Sequence, residues 1–392
     1  MRYFRDGILS IISCLLLLSS PCFAVERLVE NTSDVSFQRW IKQAMKRYQV
    51  PAVSIVIIKD YKIAWTGYYG VSNILTEQPI SDTTLFQAGS LSKPVTAVAI
   101  LKTIQDGKLR LDADVNDFLV SWTVEDSPFL QDDFITIREL LSHSGGINVA
   151  GFIGYDKSTA IPTLNDVLNG RTPANSPEIK VVQAPGTFLY SGGGYTILQQ
   201  LLVDVYQRSF SDTMSRLVLQ PLSMTHSTFQ QQLPTELQDQ VATPYRPGLN
   251  SIKEGPHVYV TEAATGLWTT PFDLAKFIIS IQESLRDDPY QILTPENAKM
   301  MMEPEAEHMG LGFYVNMDKY GNPVKKGRYF MHTGQNEGYR SVFIASTRDG
   351  CGAIIMTNMS TDGRLVMGGK IKDDWSFINN VVQHIADTEG WR

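Results

Sequence analysis

Ser90 and Lys93 stand three residues apart in Phe86-Gln87-Ala88-Gly89-Ser90-Leu91-Ser92-Lys93-Pro94. On the first turn of a helix that spacing puts both side chains on one face, with the amine in reach of the hydroxyl. A serine hydroxyl is a weak nucleophile until a neighbouring base takes its proton. Lysine serves as that base only when unprotonated, which requires burial or a cationic neighbour to pull it down from about 10.4. Pro94 is tolerated near a helix start, where no backbone bond is lost. Ser90 is therefore expected at or just before the N-terminus of a helix over 91–106, whose positive end favours negative charge on the serine oxygen. Taken alone, the pair also fits a capping serine beside a solvated lysine.

Two later segments add to it. Pro185-Gly186-Thr187-Phe188-Leu189-Tyr190-Ser191-Gly192-Gly193-Gly194-Tyr195 places a tyrosine and a glycine-rich turn before a strongly apolar helix. Phe330-Met331-His332-Thr333-Gly334-Gln335-Asn336-Glu337-Gly338-Tyr339 places a His-Thr-Gly at the expected end of one strand, followed by a turn into the next. Ser-x-x-Lys, then a tyrosine, then a basic residue with Thr-Gly, in that order, resembles the motif set of the penicillin-recognising serine hydrolases. The tyrosine form is similar to the branch that holds class C β-lactamases, D,D-carboxypeptidases and related esterases. Arg138 to Ile147, Pro221-Leu222-Ser223-Met224, Gly266-Leu267-Trp268-Thr269-Thr270 and Gly310-Leu311-Gly312-Phe313 resemble further family segments in the expected order.

The resemblance implies an α/β (α+β) fold: an antiparallel sheet flanked by helices plus an all-helical part, with the site between them. It implies a Ser90 nucleophile that forms an acyl-enzyme and a Lys93 that accepts or relays its proton. Tyr190 would hydrogen-bond both and act as phenolate or as relay to the leaving group, its pKa lowered by Lys93. Backbone N–H groups of Ser90 and Gln335 would form the oxyanion hole, with His332, Thr333, Gly334 and Gly192 in the substrate-binding set. Two positions depart from the family pattern. Gly192 stands where class C enzymes usually carry Asn, so an amide facing substrate is absent. His332 stands where lysine is usual, and histidine is only partly cationic near neutral pH, which weakens capture of a substrate carboxylate. Peptide, ester, D-amino acid amide and β-lactam carbonyls all stay open as substrates. A low-turnover penicillin-binding receptor or assembly scaffold on the same fold is the alternative.

Other chemistries lack their residues. No Gly-x-Ser-x-Gly elbow occurs. The six histidines are dispersed, with neither His-Glu-x-x-His nor paired cysteines for a metal, and no cofactor is implied. Gly192-Gly193-Gly194 lacks the Lys and Ser/Thr of a phosphate-binding loop. His143 beside Ser144-Gly145-Gly146 reads as the close of a helix, and Glu337 and Arg340 as a solvated strand edge.

The elements that must position these residues follow from periodicity. Phe37, Trp40, Ile41, Ala44, Met45 and Tyr48 predict a helix over 35–48. Val53–Ile58 and Ile63–Thr66 predict a hairpin turning at Lys59-Asp60. Helices are expected over 91–106, 137–142, 195–207 and 211–219. Thr270-Pro271-Phe272-Asp273 opens another with a cap, a first-position proline and an acid. Strands return at 328–331, 339–346 and 353–357, and a last helix carries Trp375, Ile378, Val382 and Ile385. Strands at both ends with helices between suggest one antiparallel sheet assembled from both ends of the chain: an α/β part of about 25–85 and 260–392, and a helical part of about 86–259. The long polar stretch from His143 to Tyr190, with one short helical segment near Thr163–Leu168, is expected to wall a substrate cleft.

The chain's 392 residues, 43% hydrophobic, are enough for a large core. A net charge of −7 gives no global basic excess for nucleic acid. Arg2, Arg5, the apolar run Ile8 to Leu18 and Cys22-Phe23-Ala24 predict a cleaved signal over residues 1–24, hence export to the periplasm or medium without a stable membrane anchor. Cleavage removes Cys14 and Cys22 and leaves Cys351, so neither a disulfide framework nor a thiol mechanism is expected. The expected partner is a small-molecule or peptide substrate; the sequence leaves the oligomeric state open.

Overall fold

The computed structural model describes residues 32–131, 133–286, 291–360 and 374–392. The predicted signal segment, with Cys14 and Cys22, lies outside them. The helices that build and position the site are α1 (Thr32–Tyr48), α2 (Ser92–Gln105), α3 (Ile137–Leu141), α4 (Leu164–Leu168), α5 (Gly192–Tyr206), α6 (Glu262–Thr265), α7 (Pro271–Ser284) and α8 (Asp374–Thr388). The strands of the main sheet are β1 (Ala52–Lys59), β2 (Lys62–Asn73), β3 (Gln78–Pro79), β4 (Tyr314–Met317), β5 (Tyr329–Asn336), β6 (Tyr339–Ser346) and β7 (Gly352–Thr357). They form one seven-stranded sheet in the order β3-β2-β1-β7-β6-β5-β4, every neighbouring pair antiparallel. The fold is thus the mixed α/β architecture expected from the sequence, with N-terminal β1 hydrogen-bonded to C-terminal β7.

β1 is buried along almost its whole length, because helices cover both faces of the sheet. Val53, Ile55 and Ile57 pack with Ile41 and Met45 of α1 and with Phe377, Ile378, Val381, Val382 and Ile385 of α8. Ala52, Val56 and Ile58 point the other way, into a larger core with Leu274, Phe277, Ile278 and Ile281 of α7 and the helices around the site. Thr270 caps α7 by accepting from the Asp273 N–H at 3.2 Å, with Pro271 at the first helical position. The β1–β2 turn falls one residue later than expected. Asp60 and Tyr61 both take positive φ (50° and 61°), the pair of left-handed residues that a tight hairpin uses.

Three expectations change. The 211–219 helix is α-helical over Phe210–Met214 and continues as a π turn over Ser215–Leu219. The strand expected to stop at Met331 runs to Asn336, since pairing with β6, His332 opposite Phe343 through Gln335 opposite Arg340, holds residues of modest strand preference in place. Arg340 and Glu337 are no solvated edge. Arg340 is buried with its guanidinium over the Trp375 ring, and Glu337 pairs with Arg246. Cys351 precedes β7 with its Sγ 3.8 Å from the Tyr329 hydroxyl. Burial raises its thiol pKa, which favours the unreactive protonated form.

Candidate active site

Gly89 to Leu91 form a single 3₁₀ turn that runs directly into α2. Gly89 has φ +55°, and a Cβ there would lie 2.5 Å from the Gln335 nitrogen, so only glycine lets the turn press this closely on β5. Ser92 ties the turn down: its hydroxyl donates to the Gly89 carbonyl at 2.6 Å and accepts from the Leu267 N–H at 3.0 Å. Ser90 is thereby presented just before the helix, next in the chain to the glycine that meets the Gln335 nitrogen.

Lys93 follows on the buried side of α2 with 0% exposure. Its Nζ lies 3.0 Å from Ser90 Oγ and donates to the Ala264 carbonyl at 2.9 Å. Its other neighbours are ring faces, Tyr190 at 5.1 Å and Tyr195 at 5.7 Å from Nζ to ring centroid. Burial lowers its pKa to about 7, since an enclosed ammonium loses its hydration. Of the two routes the sequence allowed for lowering this lysine, the structure uses burial.

Tyr190 is held from behind by the segment after α3. His143 takes a left-handed conformation (φ 57°), which turns its ring under Tyr190 at 4.3 Å between centroids. The His143 carbonyl accepts from the Leu189 N–H at 2.7 Å, and its Nδ1 accepts from the Ser191 N–H at 3.0 Å. A residue read as a helix close thus also braces the tyrosine on both sides along the chain. The Tyr190 phenol is raised well above its ordinary pKa by burial, opposed by its interaction with the Ser90 side chain. Of the two roles the resemblance implies for Tyr190, enclosure favours the neutral relay over the phenolate, with Lys93 meeting the ring face.

The glycines at 192–194 are the first turn of α5. Ser191 caps it, its hydroxyl accepting from the Gly194 N–H at 2.8 Å. The Gly192 and Gly193 N–H groups donate to the carbonyls of Ala150 and Val149 at 3.1 and 3.0 Å, so these three donors are taken and offer no phosphate cradle. A Cβ on Gly192 would lie 3.0 Å from the Phe152 ring. Phe152 therefore crowds the place where the family's amide would begin, and Val149, Ala150 and Phe152 of the 143–190 stretch pack against the start of α5 beside Tyr190.

β5 forms the opposite wall. Gly334 packs so tightly that a Cβ would fall 1.9 Å from the Ala88 carbonyl oxygen. Asn336 donates to Gln87 Oε1 and to the Thr265 carbonyl, both at 3.0 Å, clamping the strand to the turn and to α6. Gly334→Ala is expected to destabilise the protein by about 1–3 kcal/mol through overpacking and to slow reaction at Ser90. Denaturant unfolding and active-serine labelling would check both effects.

His332 is buried at 1% exposure, with Tyr314 at 5.4 Å and Tyr190 at 6.3 Å between ring centroids. Its Nδ1 lies 2.7 Å from the Thr333 carbonyl oxygen. Burial, reinforced by Lys93, lowers its pKa to about 3. Burial and the nearby Lys93 disfavour the expected partial positive charge more than the Thr333 carbonyl supports it. Thr333 is partly buried and Gln335 exposed at the strand's outer end. Sequence reasoning did not find the Ala264 carbonyl, the His143 brace, Tyr314 or the Gln87–Asn336 clamp. A backbone acceptor has no sequence signature, and the other four are ordinary residue types brought in from distant segments.

A serine, a buried lysine with lowered pKa and a neutral tyrosine converge beside β5, on a mixed α/β fold with an antiparallel sheet. This is the arrangement of the serine β-lactamase-like proteins. The β-lactamase family profile matches residues 37–369, and the chain belongs to that family. Protein flp of Staphylococcus aureus (strain N315) is 24% identical over 346 residues, covering 85% of this chain and 64% of flp. The chain thus spans less than two thirds of that relative's length. The octameric penicillin-binding protein homologue from Pyrococcus abyssi superposes with a TM-score of 0.69 at 23% identity, over 91% of this chain and 77% of that one. The D-alanine carboxypeptidase AmpC from Burkholderia cenocepacia gives 0.64 at 19%, over 86% and 97%. At these identities the two structures establish the shared fold.

Proposed function

We propose that the protein is a serine hydrolase that works through an acyl-enzyme on Ser90. The observation that carries this is the fully buried Lys93, 3.0 Å from Ser90 Oγ and with its pKa lowered to about 7. Lys93 donates one N–H to the Ala264 carbonyl and, when neutral, has a lone pair that can take the Ser90 proton across the 3.0 Å contact. As Ser90 Oγ bonds to the substrate carbonyl carbon, its proton passes to Lys93. The N–H groups of Ser90 and Gln335 receive the charge developing on the carbonyl oxygen. Tyr190, neutral and beside Ser90, gives its proton to the departing atom and recovers one from the Lys93 ammonium, leaving the amine neutral. Water then attacks the acyl ester with Lys93 again taking the proton, and Ser90 leaves with its hydrogen restored. The substrate is a small-molecule or peptide carbonyl. Residues 1–24, on the strength of their basic start and apolar run, are proposed to direct export and to be removed.

The base sets the pH dependence. Protonated Lys93 has no lone pair, so the reactive fraction falls tenfold per pH unit below about 7 and levels off above it. Labelling of the protein by a fluorophosphonate is expected to be about tenfold faster at pH 8 than at pH 6. A rate independent of pH across that interval would remove Lys93 from the role of base.

A further inference from the structure

β2 is paired along only one side for most of its length. β1 runs beside it from Lys62 to Gly70, whereas β3 reaches only Val71 and Asn73. Two bonds at the end of this run give the backbone directions. The Gly70 carbonyl accepts from the Ile80 N–H at 3.3 Å, and the Val71 N–H donates to the Pro51 carbonyl at 3.0 Å, so Gly70 faces away from β1 and Val71 toward it. Alternation then puts the N–H and C=O of Thr66 and of Tyr68 on the outer edge. Among the described residues none hydrogen-bonds these four groups. An open row of donors and acceptors is a template for another strand.

A groove follows this edge, lined by Gln38 and Lys42 of α1 and by Trp65 to Gly70. Register with Ile57, Ile55 and Val53 puts Trp65, Gly67 and Tyr69 on the α1 face. A Cβ on Gly67 would fall within the Trp65 ring, so the missing side chain lets the indole lie along the strand, half-buried and edge-on to Phe37 at 5.4 Å between centroids. Charges of one sign stand over this apolar floor. α1 carries Arg39, Lys42, Lys46 and Arg47 against one acid, Asp34. Lys42 and Lys46 share a side of the helix, and with Arg39 they are exposed and form no ion pair with any described residue. Asp82 acts on the Tyr68 phenol, whose side chain lies on the opposite face of the sheet with Ser54. The basic row is thus opposite in sign to the chain's net charge of −7.

We propose that the outer edge of β2 is a docking site for an extended acidic segment of a partner protein, which pairs with Thr66 and Tyr68 and continues the line of β3. Main-chain bonds hold the added strand, and Lys42 and Trp65 select its side chains on the α1 face. A second copy of the chain fits less well: joining two β2 edges across a twofold axis brings both α1 helices to one face of the sheet, basic row against basic row. β2 lies four strand spacings from β5, about 19 Å at the usual interstrand distance. The docking edge is therefore separate from the Ser90 site.

Two short fluorescent peptides, one alternating valine with glutamate and the other valine with lysine, test this by anisotropy on the whole protein. Net charge alone favours the lysine peptide, and the β2 edge favours the glutamate one. The glutamate peptide is expected to bind wild-type protein at least tenfold more tightly, and Lys42→Glu, an exposed change on α1, to remove that preference. Methylating alternate backbone nitrogens of the glutamate peptide gives two isomers, of which at least one is expected to lose tenfold in affinity, since one set of N–H groups faces β2. Equal or tighter binding of the lysine peptide, a preference unchanged in Lys42→Glu, or full affinity in both methylated isomers overturns the proposal. Binding of neither peptide overturns it as well, and wild-type protein that then sediments as a dimer assigns the edge to a second copy.

Discussion

Ser90→Ala is expected to lower the hydrolysis of any ester or amide the protein turns over by at least about a thousandfold, with the fold retained. Only one polar contact of the wild-type side chain is lost from the lysine, whose Nζ keeps the Ala264 carbonyl as a partner. The strand clamp does not pass through the serine hydroxyl. It runs through Asn336, Gln87 and the Ser341 hydroxyl, which donates to Ala88 at 2.7 Å. Loss of rate with an unchanged circular dichroism spectrum therefore reports chemistry. A variant retaining a tenth of wild-type turnover would place the nucleophile elsewhere.

Lys93→Met is expected to slow acylation by about 10²–10⁴, the range of a lost general base, and to abolish the pH inflection near 7. Stability moves the opposite way. The lysine titrates at about 7 when folded and at about 10.4 in an unfolded chain. Between those values the unfolded state holds more protons than the folded one, so wild-type stability rises with pH across this window. Methionine has no such penalty. The melting temperature of Lys93→Met relative to wild type is thus expected to be highest at and below pH 7 and to fall steadily toward pH 10. A slow variant with a constant offset would mean that the buried amine is not deprotonated on folding.

The sequence disclosed what local chemistry specifies. The Ser90/Lys93 spacing, Pro94 near the start of α2, Thr270 and Pro271 opening α7, and the short helix at Leu164–Leu168 each depend on neighbours within a turn or two. What it hid depends on enclosure. The reference pKa of His332 suggests a partial cation and the family pattern allows a phenolate at Tyr190, and only the packed walls disfavour both. The glycines after Ser191 look like a turn by composition. They enter α5 because Ser191 caps it and because Ala150 and Val149, more than forty residues away in sequence, supply carbonyls that only a side-chain-free first turn admits. Arg340 reads as surface by residue type, yet lies buried over an aromatic ring from α8. Such long-range partners leave no periodic trace.

Every step of the proposed reaction depends on acylation of Ser90. The most direct measurement is peptide mapping by mass spectrometry after reaction with a fluorophosphonate at pH 8. A single adduct on Ser90, absent in Ser90→Ala, is the predicted result. An adduct on another residue, or equal labelling of the Ser90→Ala protein, would contradict the account.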